Sequence, residues 1–323
     1  NNNGIFTKKT LIKENKKSFP IAISVADYNK DKHLDIYVSK FINPVYMKAF
    51  TFNNPKHAQP NILLQGDKDG NFKDVTKQTN SAGLQNTFTS TFVDLDKDGY
   101  PDLVIAPDTG EVEIYKNNNG KHFTRKKVDS GYGFWMGIGV GDIDNDGDQD
   151  LYMTNLGNTV ARTKMFRGDL KPSQRLNYDH ILLRNDGDFN LKDVTKKQNA
   201  QDYPFGWGAV FEDINLDTKQ DLLFSTNYID YPPHKVLKDD TVVLLNKGGK
   251  FNRIKKYSNR AYSQNPLLVD INKDGIKDIL WININGPPKI YINKNDDDNN
   301  YFNVKLPNNV NFSASAKSQS TFA

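Results

Sequence analysis

The chain has 323 residues, carries 43 lysines and arginines against 39 aspartates and glutamates for a formal charge of +4, and contains no cysteine. Without thiols there are no disulfides, thiolate metal sites or cysteine nucleophiles, and no stretch approaches the roughly 18 apolar residues of a membrane-spanning helix. A hydrophobic content of 37% suffices for a core, while a mean hydropathy of −0.70 suits short strands joined by many Asn, Asp, Lys and Gly turns.

In chain order, residues 3–9 read as an Asn-Gly turn followed by a strand. Residues 19–26 form the next strand and run into a nine-residue stretch. There, oxygen-bearing side chains stand at positions 1, 3, 5 and 9: Asp27, Asn29, Asp31 and Asp35. Strands over 34–38 and 61–64 follow, then the turn Gly66-Asp67-Lys68-Asp69-Gly70-Asn71 and a last strand from Phe72. The pattern then repeats. Residues 88–93 lead into Asp94, Asp96, Asp98 and Asp102, with strands over 103–106 and 112–115 and an Asn-rich turn before Phe123. Residues 135–140 lead into Asp142, Asp144, Asp146 and Asp150, with strands over 151–153 and 180–183 and a turn before Phe189. Residues 207–211 lead into Asp213, Asn215, Asp217 and Asp221, with strands over 222–225 and 242–245 and Gly248-Gly249 before Phe251. Residues 267–269 lead into Asp270, Asn272, Asp274 and Asp278, with strands over 279–284, 289–292 and 301–306.

Carboxylates spaced by two in a tight loop can turn their oxygens onto one centre. A glycine at position 6 permits the bend in three loops (Gly99, Gly147, Gly275), and Lys32 and Thr218 take its place in the other two. Calcium accepts six to eight oxygens at about 2.3–2.6 Å in irregular geometry. Side chains at positions 1, 3, 5 and 9 would supply most of them. The backbone carbonyl at position 7, which belongs to His33, Tyr100, Asp148, Lys219 or Ile276, would add another. One such loop is readily explained as a solvated turn; five with β-type flanks are not. The EF-hand opens with the same residues but needs a glutamate at position 12 and a following helix. Position 12 here is Val38, Ile105, Met153, Phe224 or Trp281, each inside a strand-like run. About five structural Ca²⁺ ions are therefore expected.

Four-stranded units without intervening helices read as the blades of an all-β propeller, whose radial closure leaves only short outer edges. Complete blades are expected over 19–80, 86–130, 132–200, 204–258 and 262–306. Residues 1–18 read as the outer part of an incomplete blade, and 307–323 as the start of a further element or a tail. A seven-bladed ring is expected, with six to eight as the range, additional chain or a partner supplying the remainder.

The loops with their flanks, above all residues 136–153 and 206–225, resemble the FG-GAP/VCBS repeats of integrin α-type propellers. Gly206-Trp207-Gly208 precedes one loop, and Asp186-Gly187-Asp188-Phe189 runs on to Asp193-Val194-Thr195. Both features are similar to bacterial secreted proteins in which a VCBS propeller precedes an ASPIC/UnbV segment, and Phe302-Asn303-Val304-Lys305-Leu306-Pro307 resembles the opening of that segment. The resemblance covers residues 1 to about 306. It implies the fold and calcium, not an activity, because such propellers host adhesion receptors, lectins, lyases and assembly modules. It also implies weaker affinity where Lys32 or Thr218 replaces glycine and where Asn replaces Asp at position 3.

Loops of this carboxylate density suit a calcium-rich setting, extracellular, at the cell surface or in the periplasm. They hold 17 of the 39 acidic residues at positions 1, 3, 5 and 9, leaving 22 against 43 basic residues elsewhere. Five bound ions would lift the net charge to about +14. Such a surface attracts acidic polysaccharide, with nucleic acid a less expected partner; a solvated lysine surface accounts for the excess equally well. Topology puts the calcium loops on one face and the long insertions 40–60, 155–178 and 227–240 on the other. Long loops on a rigid scaffold are where binding concentrates. Candidate ligand contacts there are Tyr46, Lys48, Arg162, Lys164, Arg167, Tyr228 and His234, residue types that stack on sugars and pair with their anionic groups. Trp135 and Trp207 are candidates at the channel mouth, or else seam-packing residues. The leading expectation is a non-catalytic, calcium-stabilised extracellular binding or adhesion propeller for a glycan or protein. The alternatives are a lyase-type polysaccharide enzyme using Lys, Tyr or Arg of the insertions and a structural subunit of a surface assembly.

Overall fold

The computed structural model describes residues 8, 10–11, 19–43, 51–53, 56–157, 168–227, 239–284 and 286–294. Its sheets follow one another along the chain as antiparallel meanders. Blade one comprises β1 (Pro20–Ala26), β2 (Asp35–Lys40), β3 (Ile62–Gly66) and β4 (Phe72–Asp74). Blade two comprises β5 (Asn86–Val93), β6 (Asp102–Thr109), β7 (Glu113–Asn117) and β8 (Phe123–Lys126). Blade three comprises β9 (Gly137–Gly141), β10 (Asp150–Thr154), β11 (Ile181–Asn185) and β12 (Leu191–Asp193). Blade four comprises β13 (Gly206–Glu212), β14 (Asp221–Thr226), β15 (Val242–Asn246) and β16 (Phe251–Ile254). Blade five contributes β17 (Ser263–Val269), β18 (Asp278–Asn283) and β19 (Lys289–Tyr291). The strand expected over 301–306 lies outside the described residues, as do residues 1–7 and 12–18.

One departure from the expected helix-free pattern is α1 (Thr76–Thr79), a single turn between blades one and two. It forms because Asp74 accepts the Thr76 amide at 3.0 Å, while the Thr76 hydroxyl oxygen accepts the Leu63 amide at 2.9 Å and ties the turn to β3. Asp193, Thr195 and Leu182 repeat the arrangement in blade three. Val75 and Val194 are buried beneath these turns. No helix among the described residues is long and apolar enough to cross a membrane.

The apolar interior is a series of seams between blades. One cluster joins Tyr37 and Leu63 of blade one to Leu103, Ile105 and Tyr115 of blade two. Another joins Val104 and Ile114 to Leu151, Met153, Ile181 and Leu183 of blade three. A third joins Tyr152 and Leu182 to Phe211, Leu222, Phe224 and Leu244 of blade four, and a fourth joins Leu223 and Val243 to Ile279 and Trp281 of blade five. Second strands face a neighbour on both sides, which is why β6, β10 and β14 are almost wholly buried and read as continuous apolar runs. At β9 the approach is closer still, because a Cβ on Gly137 would lie 2.2 Å from the Trp207 carbonyl oxygen.

Polar clasps cross every seam. The third strands of blades two to four end in Asn117, Asn185 and Asn246, and Asn293 stands two residues beyond the end of β19 in blade five. Each side-chain amide donates to a backbone carbonyl of the preceding blade: Tyr28 at 2.8 Å, Leu95 at 2.7 Å, Ile143 at 2.8 Å and Ile214 at 2.6 Å. Blade one has Gly66 at this position and sends no such side chain onward. The outer faces of the two terminal blades are correspondingly bare among the described residues. Ile23 and Val25 are 67% and 50% exposed on β1, and Val269 and Ile290 are 42% and 51% exposed on blade five.

Removing a clasp strands a buried carbonyl, at a cost of about 1–3 kcal/mol. Asn246→Ala is therefore expected to lower the melting temperature by about 4–8 °C. A calorimetric scan showing no change would mean that the seams are held by apolar packing alone.

Candidate metal centres and the opposite face

Each loop between the first and second strands is built by its own carboxylates. The position 1 aspartate accepts the position 6 amide in all five: Lys32, Gly99, Gly147, Thr218 and Gly275, at 2.8 to 3.0 Å. The position 5 aspartate accepts the position 7 amide, as Asp98 does from Tyr100 at 2.8 Å and Asp274 from Ile276 at 3.0 Å. In four loops the other oxygen of position 1 accepts the position 5 amide as well: Asp31 on Asp27, Asp146 on Asp142, Asp217 on Asp213 and Asp274 on Asp270. Position 6 has positive φ throughout, at 81° for Gly99, 83° for Gly147 and 89° for Gly275. Lys32 and Thr218 are held at 71° despite their side chains. Position 4 is left-handed as well, at 58–62° in Lys30, Lys97, Asn145, Leu216 and Lys273.

Position 9 is the deepest group. Asp35, Asp102, Asp150, Asp221 and Asp278 are fully buried. In every blade one oxygen takes the position 2 amide and the other takes the amide ending the third strand or, in blade five, that of Asn293 just beyond it. For Asp150 these donors are Ile143 at 2.8 Å and Asn185 at 2.7 Å. Burial, opposed by these hydrogen bonds and reinforced by neighbouring aspartates, raises the carboxyl pKa to about 6 at Asp35, about 7 at Asp102 and Asp150, and about 8 at Asp221. Burial also raises Asp94 and Asp142 above the usual carboxylate range, with adjacent loop aspartates adding to the effect.

Carboxylates crowded in this way favour any bound cation. Asp94, Asp96 and Asp102 bring oxygens within 4.8 Å of one another, and so do Asp142, Asp144 and Asp146. The Asp94 Oδ1 atom is buried without a hydrogen-bond partner, as an oxygen reserved for a metal would be. These loops fit a hard divalent cation. In the remaining loops the position 3 amide donates to the position 5 carboxylate instead: Asn29 to Asp31 at 2.9 Å, Asn215 to Asp217 at 3.3 Å and Asn272 to Asp274 at 2.7 Å. The Lys116 ammonium lies on Asp96 and 3.8 Å from Asp98, and Arg184 stands 3.6 Å from Asp144. Both occupy the residue just before the clasp asparagine, a position whose link to the loops was not legible in the sequence.

Neighbouring loops also touch. Lys30 donates to the Asp98 carbonyl at 3.4 Å, Lys97 pairs with Asp148 at 2.8 Å, and Asn145 donates to the Thr218 carbonyl at 2.9 Å. Position 4 thus reaches the next loop along the rim in three successive blades.

The opposite face is where strands one begin and strands two end. Tyr46, Lys48, Arg162, Lys164, Arg167, Tyr228 and His234 lie outside the described residues. Trp135 is fully buried, its indole nitrogen donating to the Gly110 carbonyl at 2.9 Å, so it packs a seam and has no surface to offer a ligand. Trp207 is half-buried and belongs to a run of aromatic rings. Phe19 lies 6.1 Å from Phe41, Phe41 5.9 Å from Phe88, Phe88 5.5 Å from Trp207, and Trp207 5.0 Å from Phe205 and 6.0 Å from Tyr262. Glycines on β9 let rings from blades two and four meet across blade three. The two insertions also interlock, since the Phe52 and Asn53 amides donate to the Asp169 carboxylate at 2.6 and 3.2 Å.

A family model described as an FG-GAP-like repeat matches residues 94–153, a span that holds loops two and three and the strands around them. No curated protein matches the chain. Among solved structures, the chain is similar to the biofilm matrix protein Bap1 of V. cholerae, with a TM-score of 0.44 and 13% identity. That likeness covers 82% of this chain and 35% of Bap1.

Thr218 is a β-branched residue in a left-handed position, a strain of about 1–3 kcal/mol. Thr218→Gly is expected to raise the melting temperature by about 2–4 °C, less than the full strain because glycine also loosens the unfolded chain. A variant no more stable than the parent would show that the loop bears no such strain.

Proposed function

We propose that this propeller of FG-GAP-like repeats is a calcium-braced, non-catalytic binding module that works outside the cell, at its surface or in the periplasm. It grips a glycan or protein macromolecule through the face opposite its metal loops. The observation that carries this reading is the run of six aromatic rings drawn from blades one, two, four and five. Ordinary packing buries aromatic rings, yet Phe19 is 49% exposed and its neighbours in the run are only partly covered. Flat, half-exposed rings held by a rigid scaffold supply contact area at small entropic cost. The interlocked insertions around Phe52 and Asp169 give the same face a second rigid wall.

Calcium is structural in this scheme. Asp94, Asp96, Asp98 and Asp102 with the Tyr100 carbonyl would hold one ion, and Asp142, Asp144, Asp146 and Asp150 with the Asp148 carbonyl another. The Asn-containing loops would bind three more by turning the amide oxygen of Asn29, Asn215 or Asn272 inward. Bound calcium would neutralise the buried charge at position 9 and so stiffen the pin between loop and third strand. The bare faces of blades one and five call for further β-sheet, and we place the complete ring at seven blades. Axial views in electron microscopy count them, and a closed ring of five would overturn that number.

Calcium at 100-fold excess over Kd adds about 2.7 kcal/mol per site. EDTA is therefore expected to lower the melting temperature by more than 10 °C, and readded calcium to restore it. An unchanged melt would remove calcium from the scheme. On arrays of glycans and matrix proteins in calcium, the parent should be retained by at least one class. Tyr262→Ala should weaken retention about ten-fold, the usual cost of an aromatic anchor, while Lys73→Ala on the outer edge should leave it unchanged. No retention, together with the absorbance of unsaturated sugar products, would favour the lyase reading instead.

A further inference from the structure

One position, the residue before Gly66, Asn117, Asn185, Asn246 or Asn293, meets the aspartate loop in three blades. In blade one it is Gln65, whose side-chain amide donates to Asp31 at 3.2 Å. In blade two it is Lys116, whose ammonium lies on Asp96 and 3.8 Å from Asp98. In blade three it is Arg184, which stands 3.6 Å from Asp144 and is held at 2.6 Å by Asp186 of the following turn. Blades four and five have Leu245 and Ile292 there, Leu245 packing into the seam with Leu223, Val243 and Trp281.

The charge at this position follows position 3 of the loop. Asp96 and Asp144 are the two aspartates at position 3, and they are the two that face a cation. Asn29, Asn215 and Asn272 stand at position 3 elsewhere, and the partner residue is then Gln65, Leu245 or Ile292, all uncharged. Four carboxylates and one cation in loops two and three, and three carboxylates in the others, leave every loop at −3. The Lys116 and Arg184 side chains are only 26% and 25% exposed. A cation withdrawn that far from water is favourable only beside an opposite charge. Phe189 attracts the same ammonium of Lys116, 5.5 Å from its ring centroid, which helps to keep it in place.

We infer that Lys116 and Arg184 are built-in counter-charges that level the five loops, so that the all-aspartate loops hold calcium no more tightly than the asparagine-containing ones. Calcium affinity in oxygen-ligand loops grows with the number of charged ligands and with rigidity. By carboxylate count alone, loops two and three would fill first. A fixed cation on the position 3 carboxylate cancels that advantage, and each filled loop carries a net −1. Equal sites fill over one narrow range of calcium, so all five blades are braced together. Unequal sites would leave blades one, four and five loose at calcium levels that had already filled two and three. This levelling presupposes that the loops hold calcium, as proposed above, and departs from the order of affinities that the resemblance to FG-GAP/VCBS repeats implies.

NMR of the full chain with ¹⁵N-labelled glycine reads the loops one by one, because Gly99, Gly147 and Gly275 occupy position 6 of loops two, three and five. In chelator-buffered calcium the three amides of the parent should shift with midpoints within about three-fold of one another. Lys116→Met keeps the stem and removes the charge. It should move the Gly99 midpoint to about ten-fold lower calcium, the effect of one unit charge on a divalent ion through wet protein, and leave Gly275 in place. Arg184→Gln should act in the same direction at Gly147. Asp96→Asn should move Gly99 to higher calcium, and adding Lys116→Met should return it to the parent's midpoint, since loop two then matches loop five with an asparagine and an apolar partner. Gly137 and Gly206, at the other end of the first strands, confirm that each variant is folded. If Lys116→Met leaves Gly99 unmoved or weakens it, the counter-charge role is overturned. Parent midpoints for Gly99 and Gly147 about ten-fold below that of Gly275 would overturn the levelling. Both results leave the calcium sites standing, whereas glycine amides indifferent to calcium would remove the sites themselves and the levelling with them.

Discussion

Five carboxylates, one at position 9 of each loop, sit where the loop, the third strand and the neighbouring blade converge. Asp102 shows the arrangement. It takes the Leu95 amide with one oxygen and the Asn117 amide with the other, and Asn117 in turn reaches the Tyr28 carbonyl of blade one. Burial raises the carboxyl pKa at Asp35, Asp102, Asp150 and Asp221, and the amide hydrogen bonds offset only part of the rise. The remaining loop acids crowd the same volume. That crowding of carboxylates is compatible with a bound cation.

The rest of the architecture follows from how blades meet. A four-stranded sheet has two faces, and a propeller must cover both. Second strands do so with unbroken apolar runs, whereas first strands are more exposed and less regular, β9 alternating and β13 being half-buried along most of its length. The seams therefore behave as separate small cores, each sealed at the loop end by an asparagine clasp. Blade one and blade five end this series with exposed isoleucine, leucine and valine, so both terminal faces are chemically equipped for a neighbouring sheet.

The aspartate loops stand on one side of the sheets and the insertions on the other. There the chain places aromatic rings whose burial is incomplete, Phe19 and Trp207 among them. Interlocking of two insertions through Asp169, Asn53 and Gln174 makes that surface firm, although the segments lie more than 100 residues apart.

Local sequence sufficed for the blades, the five loops and their strand order, because β-hairpins, aspartate turns and positive-φ glycines are short-range chemistry. The one-turn helix at Thr76 was missed because it depends on an Asp-Val-Thr capping pattern that anchors to β3 rather than on helical periodicity. Trp135 and Trp207 occupy matching sequence positions, yet one is fully buried and the other half-exposed. Their difference comes from the glycine-lined β9, which draws blade four inward, and from Gly110, whose carbonyl captures the Trp135 indole. The asparagine clasps and the aromatic run join residues separated by tens of positions. Only the closing of blade against blade brings such groups within hydrogen-bonding or van der Waals reach, since neither hydropathy nor spacing records which side of a sheet will meet which neighbour.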